Sequence, residues 1–351
     1  MQLSRGGVLI LLIAVVALPA AAQYEEDDQT RDWEMQDRRY QERAQRQDEE
    51  PQDPLAAERA YLEKVEQLIR DKNYNSAHSD HYWVQSDDPR LDATAATELL
   101  ESFRAFFDGF WSGRTELLPY DKTSRAFLFY SFFKYNQLLG ADFRFSPVRP
   151  KGHYGSLYDA ITLHTDAGTA ADLADTLIHE AAHQMVDRRL NWGDGGASPW
   201  LGEGLASYFG YTHQDKTGAF QAGVVGRKGI ELIRGAGKRP PQQTDQRLRA
   251  ARRALKSTDP QQGSTIEALV WIRDPARFYA GDPDINYGLS WLLVHYLLHA
   301  DEGRRTPALM SHIDLLRTGG NSPGQLFEAL GMTGAELDQA LMQHAKSIRI
   351  R

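Results

Sequence analysis

A chain of 351 residues with 41% hydrophobic composition can bury one large core or two ordinary ones, which excludes a wholly disordered protein. With no cysteine there are no disulfides, no cysteine-linked lipid anchor and no thiol catalysis, so stability has to come from packing. The formal net charge of −8 is unevenly spread and gives no global nucleic-acid signature, so nucleic acid is not an expected partner.

The chain opens on a signal-peptide pattern: Arg5, an apolar run from Val8 to Leu18, then Ala20, Ala21 and Ala22 before Gln23. That run is shorter than the ~20 residues a spanning helix needs. The expectation is cleavage after Ala22, export to the periplasm or medium, and no membrane span in the mature chain. Residues 23–54 carry 12 acidic and 5 basic side chains with hardly any aliphatic ones, so they read as a disordered acidic leader. The remainder, 55–351, reads as one domain with an α+β half to residue 190 and a mainly helical half after it.

Apolar residues at helical spacing predict a helix over Leu55–Arg70. Tyr82–Gln85 reads as a strand before the turn at Asp87, Asp88 and Pro89. Thr94–Trp111 returns to helical spacing with an aromatic face of Phe103, Phe106, Phe107 and Phe110, the pattern of a core-facing stripe. Arg125–Tyr130 and Ala160–Thr165 (AITLHT) read as strands, the second alternating Ile161 and Leu163 with polar neighbours.

A helix over roughly 170–190 follows, with Thr169 and Asp172 reading as its capping pair and Arg188, Arg189, Asn191 and Gly193 as its end. Its centre is LIHEAAHQM. His179 and His183, four residues apart, point the same way and can reach one ion. Glu180 is turned about 100° from His179, which leaves it beside the metal rather than on it. This is the geometry in which a glutamate serves as general base for an attacking water.

The class depends on a third ligand. Ser198 suits an N-cap, Pro199 the first helical position and Gly210 the C-terminal stop, so Glu203 sits inside a short second helix. Gly202 and Gly204 flank it at a cost of about 1 kcal/mol each relative to alanine, and we read both as making room for close helix approach. Glu203 is the favoured ligand; Asp187, Asp194 and His213 are competitors. Residues 226–259 carry 10 basic against 3 acidic side chains. The helical RLRAARRAL within them reads as a solvated face, with docking of the acidic leader or an anionic surface as the second reading. Tyr287–His299 and Thr333–Ile348 are further helices, the latter expected to pack on the catalytic half and form the far wall of a cleft.

HEAAH, followed after 19 intervening residues by the glutamate of WLGEGLASYF, resembles the gluzincin class of zinc metallopeptidases. It is similar in particular to exported bacterial peptidase-like proteins of an uncharacterised family. The similarity runs from HYWVQSD to FYAGDPDINYGLSWLLVHYLL, with its specific part in the two helices. The resemblance implies a zincin-like α+β fold with a small mixed sheet and an active-site helix. It also implies one zinc ion held by His179, His183 and Glu203, Glu180 as general base, and hydrolysis of a peptide or protein substrate. It further implies a strand beside the metal that pairs with extended substrate, for which AITLHT is the candidate. A tyrosine or histidine from a later helix would meet the oxyanion: Tyr287 is the choice, with Tyr279, Tyr208 and His295 open. The other functional class is a catalytically inactive zinc-binding module that acts as a scaffold or binds partners.

Overall fold

The computed structural model describes residues 54–351 except 70–74, 140–149, 157, 167–171, 191, 193–196, 227, 229, 235–242, 258–262, 281, 319 and 321–323. The signal-peptide and leader expectations therefore lie outside the described residues, as do Thr169, Asn191, Gly193 and Asp194. The first half runs α1 (Pro54–Ile69), β1 (Asn75–His78), β2 (Tyr82–Ser86), α2 (Ala93–Trp111), β3 (Ser124–Phe129), α3 (Phe132–Leu139), β4 (Gly152–Gly155), β5 (Ala160–His164) and α4 (Leu173–Arg189). Then come α5 (Pro199–Tyr211), the hairpin β6 (Thr212–Gln214) and β7 (Phe220–Val225), and α6 (Gln243–Ser257). The chain ends through α7 (Thr265–Val270), α8 (Pro275–Tyr279), α9 (Pro283–His299), α10 (Thr306–Arg317), α11 (Gly324–Leu330) and α12 (Gly334–Ser347). This is an α+β fold with a small mixed sheet and a helical C-terminal half. Among the described residues no helix is long and apolar enough to cross a membrane.

The sheet order is β1-β2-β3-β5-β4, with β2, β3 and β5 parallel and the outer strands antiparallel to their neighbours. Alternation along β3 sends Ala126 and Leu128 into the main core with α2 and α4, and Phe127 and Phe129 into a smaller core with α1 and α3. AITLHT forms strand β5 as expected, and both of its faces are buried, the polar neighbours of Ile161 and Leu163 included. Thr162 is hydrogen-bonded to the Tyr61 hydroxyl, and His164 packs against Phe132 and Tyr135. The aromatic stripe of α2 is core as expected: Phe103, Phe107 and Phe110 are buried and pack on Phe209 of α5, while Phe106 stacks on Phe220.

Helix α4 is apolar on most of its circumference, with Leu177, Ile178, Ala181, Ala182 and Met185 fully buried, so it is an interior helix. Each such Leu or Ile contributes about 1.5–3 kcal/mol relative to exposure. Its N-cap is Asp172, which makes no capping hydrogen bond with its side chain and instead pairs with Lys151 at 3.2 Å. Ser198 and Pro199 begin α5 as expected, yet Gly210 does not stop it. A methyl there would stand 3.1 Å from His179 Cβ, so Gly210 is the point where α5 crosses α4. Gly204 serves the same purpose against α9, its missing Cβ lying 2.8 Å from both Ser290 O and Val294 Cγ2. Gly202 does not, because its nearest neighbour would be Ala197 Cβ at 3.9 Å. Helix α12 packs on α6, α7 and α9 and lines no part of the cleft described below. The far wall is instead α8 and the start of α9, which lie closer to α5 in space.

These glycines make opposite predictions. Gly204→Ala should lose about 1–2 kcal/mol, overpacking outweighing the helix-propensity gain, whereas Gly202→Ala should gain up to about 1 kcal/mol. Urea unfolding of the two variants beside wild type reads the sign directly.

Candidate metal centre

Helices α4 and α5 bring three donor atoms into one triangle. His179 Nε2 and His183 Nε2 are 3.2 Å apart, and Glu203 Oε2 lies 3.4 Å from the first and 3.3 Å from the second. A tetrahedral zinc site with bonds of about 2.0–2.1 Å spaces its ligand atoms about 3.3–3.4 Å apart. The spacing thus matches a shared ion, and it is longer than the ~2.7–2.9 Å of a charge-assisted hydrogen bond. Glu203 Oε2 is buried with no hydrogen-bond donor, which is costly for a carboxylate unless a cation meets it. Among the described residues His179, His183 and Glu203 form the one cluster able to hold a metal ion.

Electrostatics within the triangle are strongly coupled. Burial disfavours charge on all three groups, but the two imidazoles hold Glu203 well below the usual carboxylate range. Burial also opposes protonation of His183, yet the Glu203 carboxylate outweighs it and pushes its pKa up to about 9. Burial pushes His179 down to about 4. At neutral pH the triad therefore carries one proton, on His183, that a metal has to displace.

The other Glu203 oxygen is occupied: Tyr279 at the end of α8 donates its hydroxyl to Oε1 at 2.5 Å. Such an outer bond fixes a ligand carboxylate in orientation. Tyr287, on the second turn of α9, makes no bond to the triad; its ring lies 6.3 Å from that of His179, over the cleft. Burial and the Glu203 charge raise its phenol pKa well above the ordinary value, so it is a hydroxyl donor at neutral pH. The remaining alternatives are elsewhere. Tyr208 bonds His299 and Gly223 N, and His295 bonds His344 and Gly223 O, both within the core behind α5. Of the competing ligands, Asp187 reaches the cleft wall but accepts from the Tyr154 hydroxyl, and His213 is on β6, outside the cleft.

Glu180 projects beside the triangle and is 7% exposed. Burial, reinforced by Glu203, raises its pKa to about 7 against the opposing pull of His183 and of a hydrogen bond from the Tyr154 backbone N–H. That bond ties Glu180 to β4. His164 N–H donates to Lys151 O at 3.3 Å, and from this register Gly152 and Tyr154 turn their backbone groups away from β5. A Cβ on Gly152 would stand 2.9 Å from Glu180 Cγ, so only glycine lets the acid lie against the strand. The substrate-pairing strand expected at AITLHT is therefore misplaced: β5 is paired on both edges, and the edge strand at the cleft is β4. The cleft encloses ≈ 580 Å³ between β4, α4, α5 and the α8 to α9 segment. Sequence reading passed over Tyr279 as a ligand support, Gly152, and Arg247; the only available signal was the run of small and aromatic residues, which core packing explains equally well.

Residues 173–314 match a family model described as a protein of unknown function, DUF1570; the span holds His179, Glu180, His183, Glu203, Arg247, Tyr279 and Tyr287. No curated protein matches the chain.

Two measurements follow from this geometry. Tyr279→Phe should weaken zinc affinity about 10- to 100-fold while Tyr287→Phe leaves it unchanged, as read by competition with a chromophoric chelator. Because His183 is protonated below about pH 9, zinc affinity of the metal-free protein should rise about tenfold per pH unit from pH 7 to 8.5, with release of about one proton. Calorimetry in buffers of different ionisation enthalpy counts that proton.

Proposed function

We propose that this protein is an exported zinc-dependent peptidase of the gluzincin type. The observation that carries the reading is a buried, non-ligating acid, Glu180, held by β4 beside a three-donor triangle that opens on a cleft. His179, His183 and Glu203 would hold one zinc ion. When bound, such an ion supplies Lewis acidity that polarises the scissile carbonyl and makes a neighbouring water acidic.

The chain's own groups supply the rest. Gly152 N–H and C=O and Tyr154 C=O, directed away from β5, offer an edge on which an extended peptide adds as a further strand. Glu180, anchored by Tyr154 N–H, removes the proton from the attacking water and returns it to the departing amine. Tyr287 donates its hydroxyl to the oxygen that gains charge, a task suited to a neutral phenol held over the cleft. Tyr279 keeps Glu203 turned toward the triangle. The apolar side of the cleft, from Val186, Trp192 and Ala197, takes a side chain and excludes water.

The inactive zinc module is the second reading, and the one point in its favour is that a metal triad alone is enough to brace α4 on α5. Against it stands Glu180, a buried acid for which a structural site has no use. Zinc-loaded wild type should cleave members of an unbiased peptide library and lose that activity in chelator. Glu180→Gln should keep stoichiometric zinc and lose about 10²- to 10⁴-fold in rate. Stoichiometric zinc without turnover in wild type would leave the scaffold reading standing.

A further inference from the structure

A second cavity of ≈ 210 Å³ opens off the metal cleft, sharing Gly152, His179, Glu180 and Tyr287 with it. Its outer wall includes Arg247, from the basic stretch for which the mechanism above has no task. The expected solvated face of α6 is real for Arg249 and Arg253, which are exposed, while Leu248, Ala251 and Leu255 pack inward. Arg252 reaches the carbonyl of Ala345. Of these arginines Arg247 alone lines the side cavity, where its guanidinium carbon lies 4.0 Å from the Tyr287 ring centroid and Nη1 donates to the Tyr211 hydroxyl.

The guanidinium is under-compensated for its position. Its side chain is only 13% exposed, and its Nε is buried with no hydrogen-bond acceptor. The nearest carboxylate, Asp284, is 3.8 Å from Nε, beyond hydrogen-bond reach, and is itself 57% exposed. Of the other two acids of the wall, Asp175 pairs with Lys228 at 3.5 Å and Glu180 is the acid shared with the metal cleft; Lys151, also in the lining, pairs with Asp172 at 3.2 Å. A planar guanidinium with unused donors in a cavity is matched by a carboxylate, which takes two of them at once.

We propose that this side cavity is a carboxylate-binding subsite for the substrate, with Arg247 as its anchor. The inference rests on the peptidase reading for which bond lies over Glu180, but the recognition itself is a property of the cavity. It also has a direction. A peptide added antiparallel to β4 runs its C-terminal side toward the N-terminal end of that strand, where Pro150, Lys151 and Gly152 line the cavity. The carboxylate is therefore on the leaving-group side of the scissile bond. It belongs either to the chain's own C-terminus or to an Asp or Glu side chain one or two residues past the cut.

Matched peptides separate the two sources: free acid against C-terminal amide, and Glu against Gln after the cleaved bond. Zinc-loaded wild type should prefer one carboxylate form by tenfold or more in kcat/KM. Arg247→Ala should collapse that ratio toward one, Arg247→Lys should restore part of it, and Arg247→Met, which keeps the packing, replaces the alanine variant where that fails to fold. Binding of the same pairs to zinc-loaded Glu180→Gln, by calorimetry, should show the same preference without turnover. A loss that is equal for acid and amide, with the ratio intact, would overturn the subsite and leave Arg247 as a support for Tyr287. Carboxylate preference in binding with no cleavage by wild type would sink the peptidase reading and keep the subsite; cleavage without preference would do the reverse.

Discussion

The structure depends on one buried negative charge. Glu203 sits 5% exposed at the centre of the helical half, and a carboxylate taken out of water costs several kcal/mol unless cations and hydrogen bonds replace the water. One oxygen takes the Tyr279 hydroxyl and the other faces two imidazoles from α4. That arrangement is possible only because α4 and α5 approach closely, and the approach is set by Gly210 against His179. Packing and electrostatics are therefore not separate layers here. A bulkier residue at the crossing would pull the carboxylate away from the charges that make its burial tolerable.

The sheet's contribution is to fix the height and rotation of α4. The turn from β4 to β5 places Asp159, at φ +50°, so that its buried carboxylate accepts from Tyr120, Gln184 and Arg188. Two of those donors lie on α4, one turn apart, downstream of His179 and His183. The same hairpin carries Tyr154 N–H and Gly152 to Glu180. One short connection thus sets both the helix that bears the ligands and the acid that lies between helix and strand.

Much of this was legible in the sequence because it is local. The i, i+4 histidines, the intervening acid, the Ser198 and Pro199 start of α5 and the aromatic face of α2 are set by helix geometry over a few residues. What could not be read depends on pairing across the chain. A sequence shows that AITLHT alternates, but not that α1 covers its polar face or that a four-residue strand, GHYG, takes the edge position at the cleft. Gly210 looks like a stop because its partner, His179, lies 31 residues earlier. The sequence reading names Tyr287 as oxyanion donor and keeps Tyr279, Tyr208 and His295 open, because spacing alone does not show which of the four reaches the cleft. The fold places Tyr208 and His295 behind α5 and leaves Tyr279, bonded to Glu203, and Tyr287 in the lining of the cleft.

The division of labour between those two tyrosines bears on the choice between a working and a structural metal site. A structural site closes all four coordination positions with protein and has its polar groups satisfied. Here the triangle offers three donors, and the cleft beside it is lined by Glu180, Tyr287 and β4, whose outward backbone is not bonded to the triad. Tyr279 already supplies the hydroxyl that Glu203 needs, so a second phenol over the same cleft adds nothing to ligand support. Glu180 likewise costs stability where it lies, since burial, reinforced by the Glu203 charge, raises its pKa. Two polar groups, Glu180 and Tyr287, thus line the cleft beside the three donors without serving the bonding of the triad itself, and this is the physical ground on which the working-site proposal is preferred to the structural one.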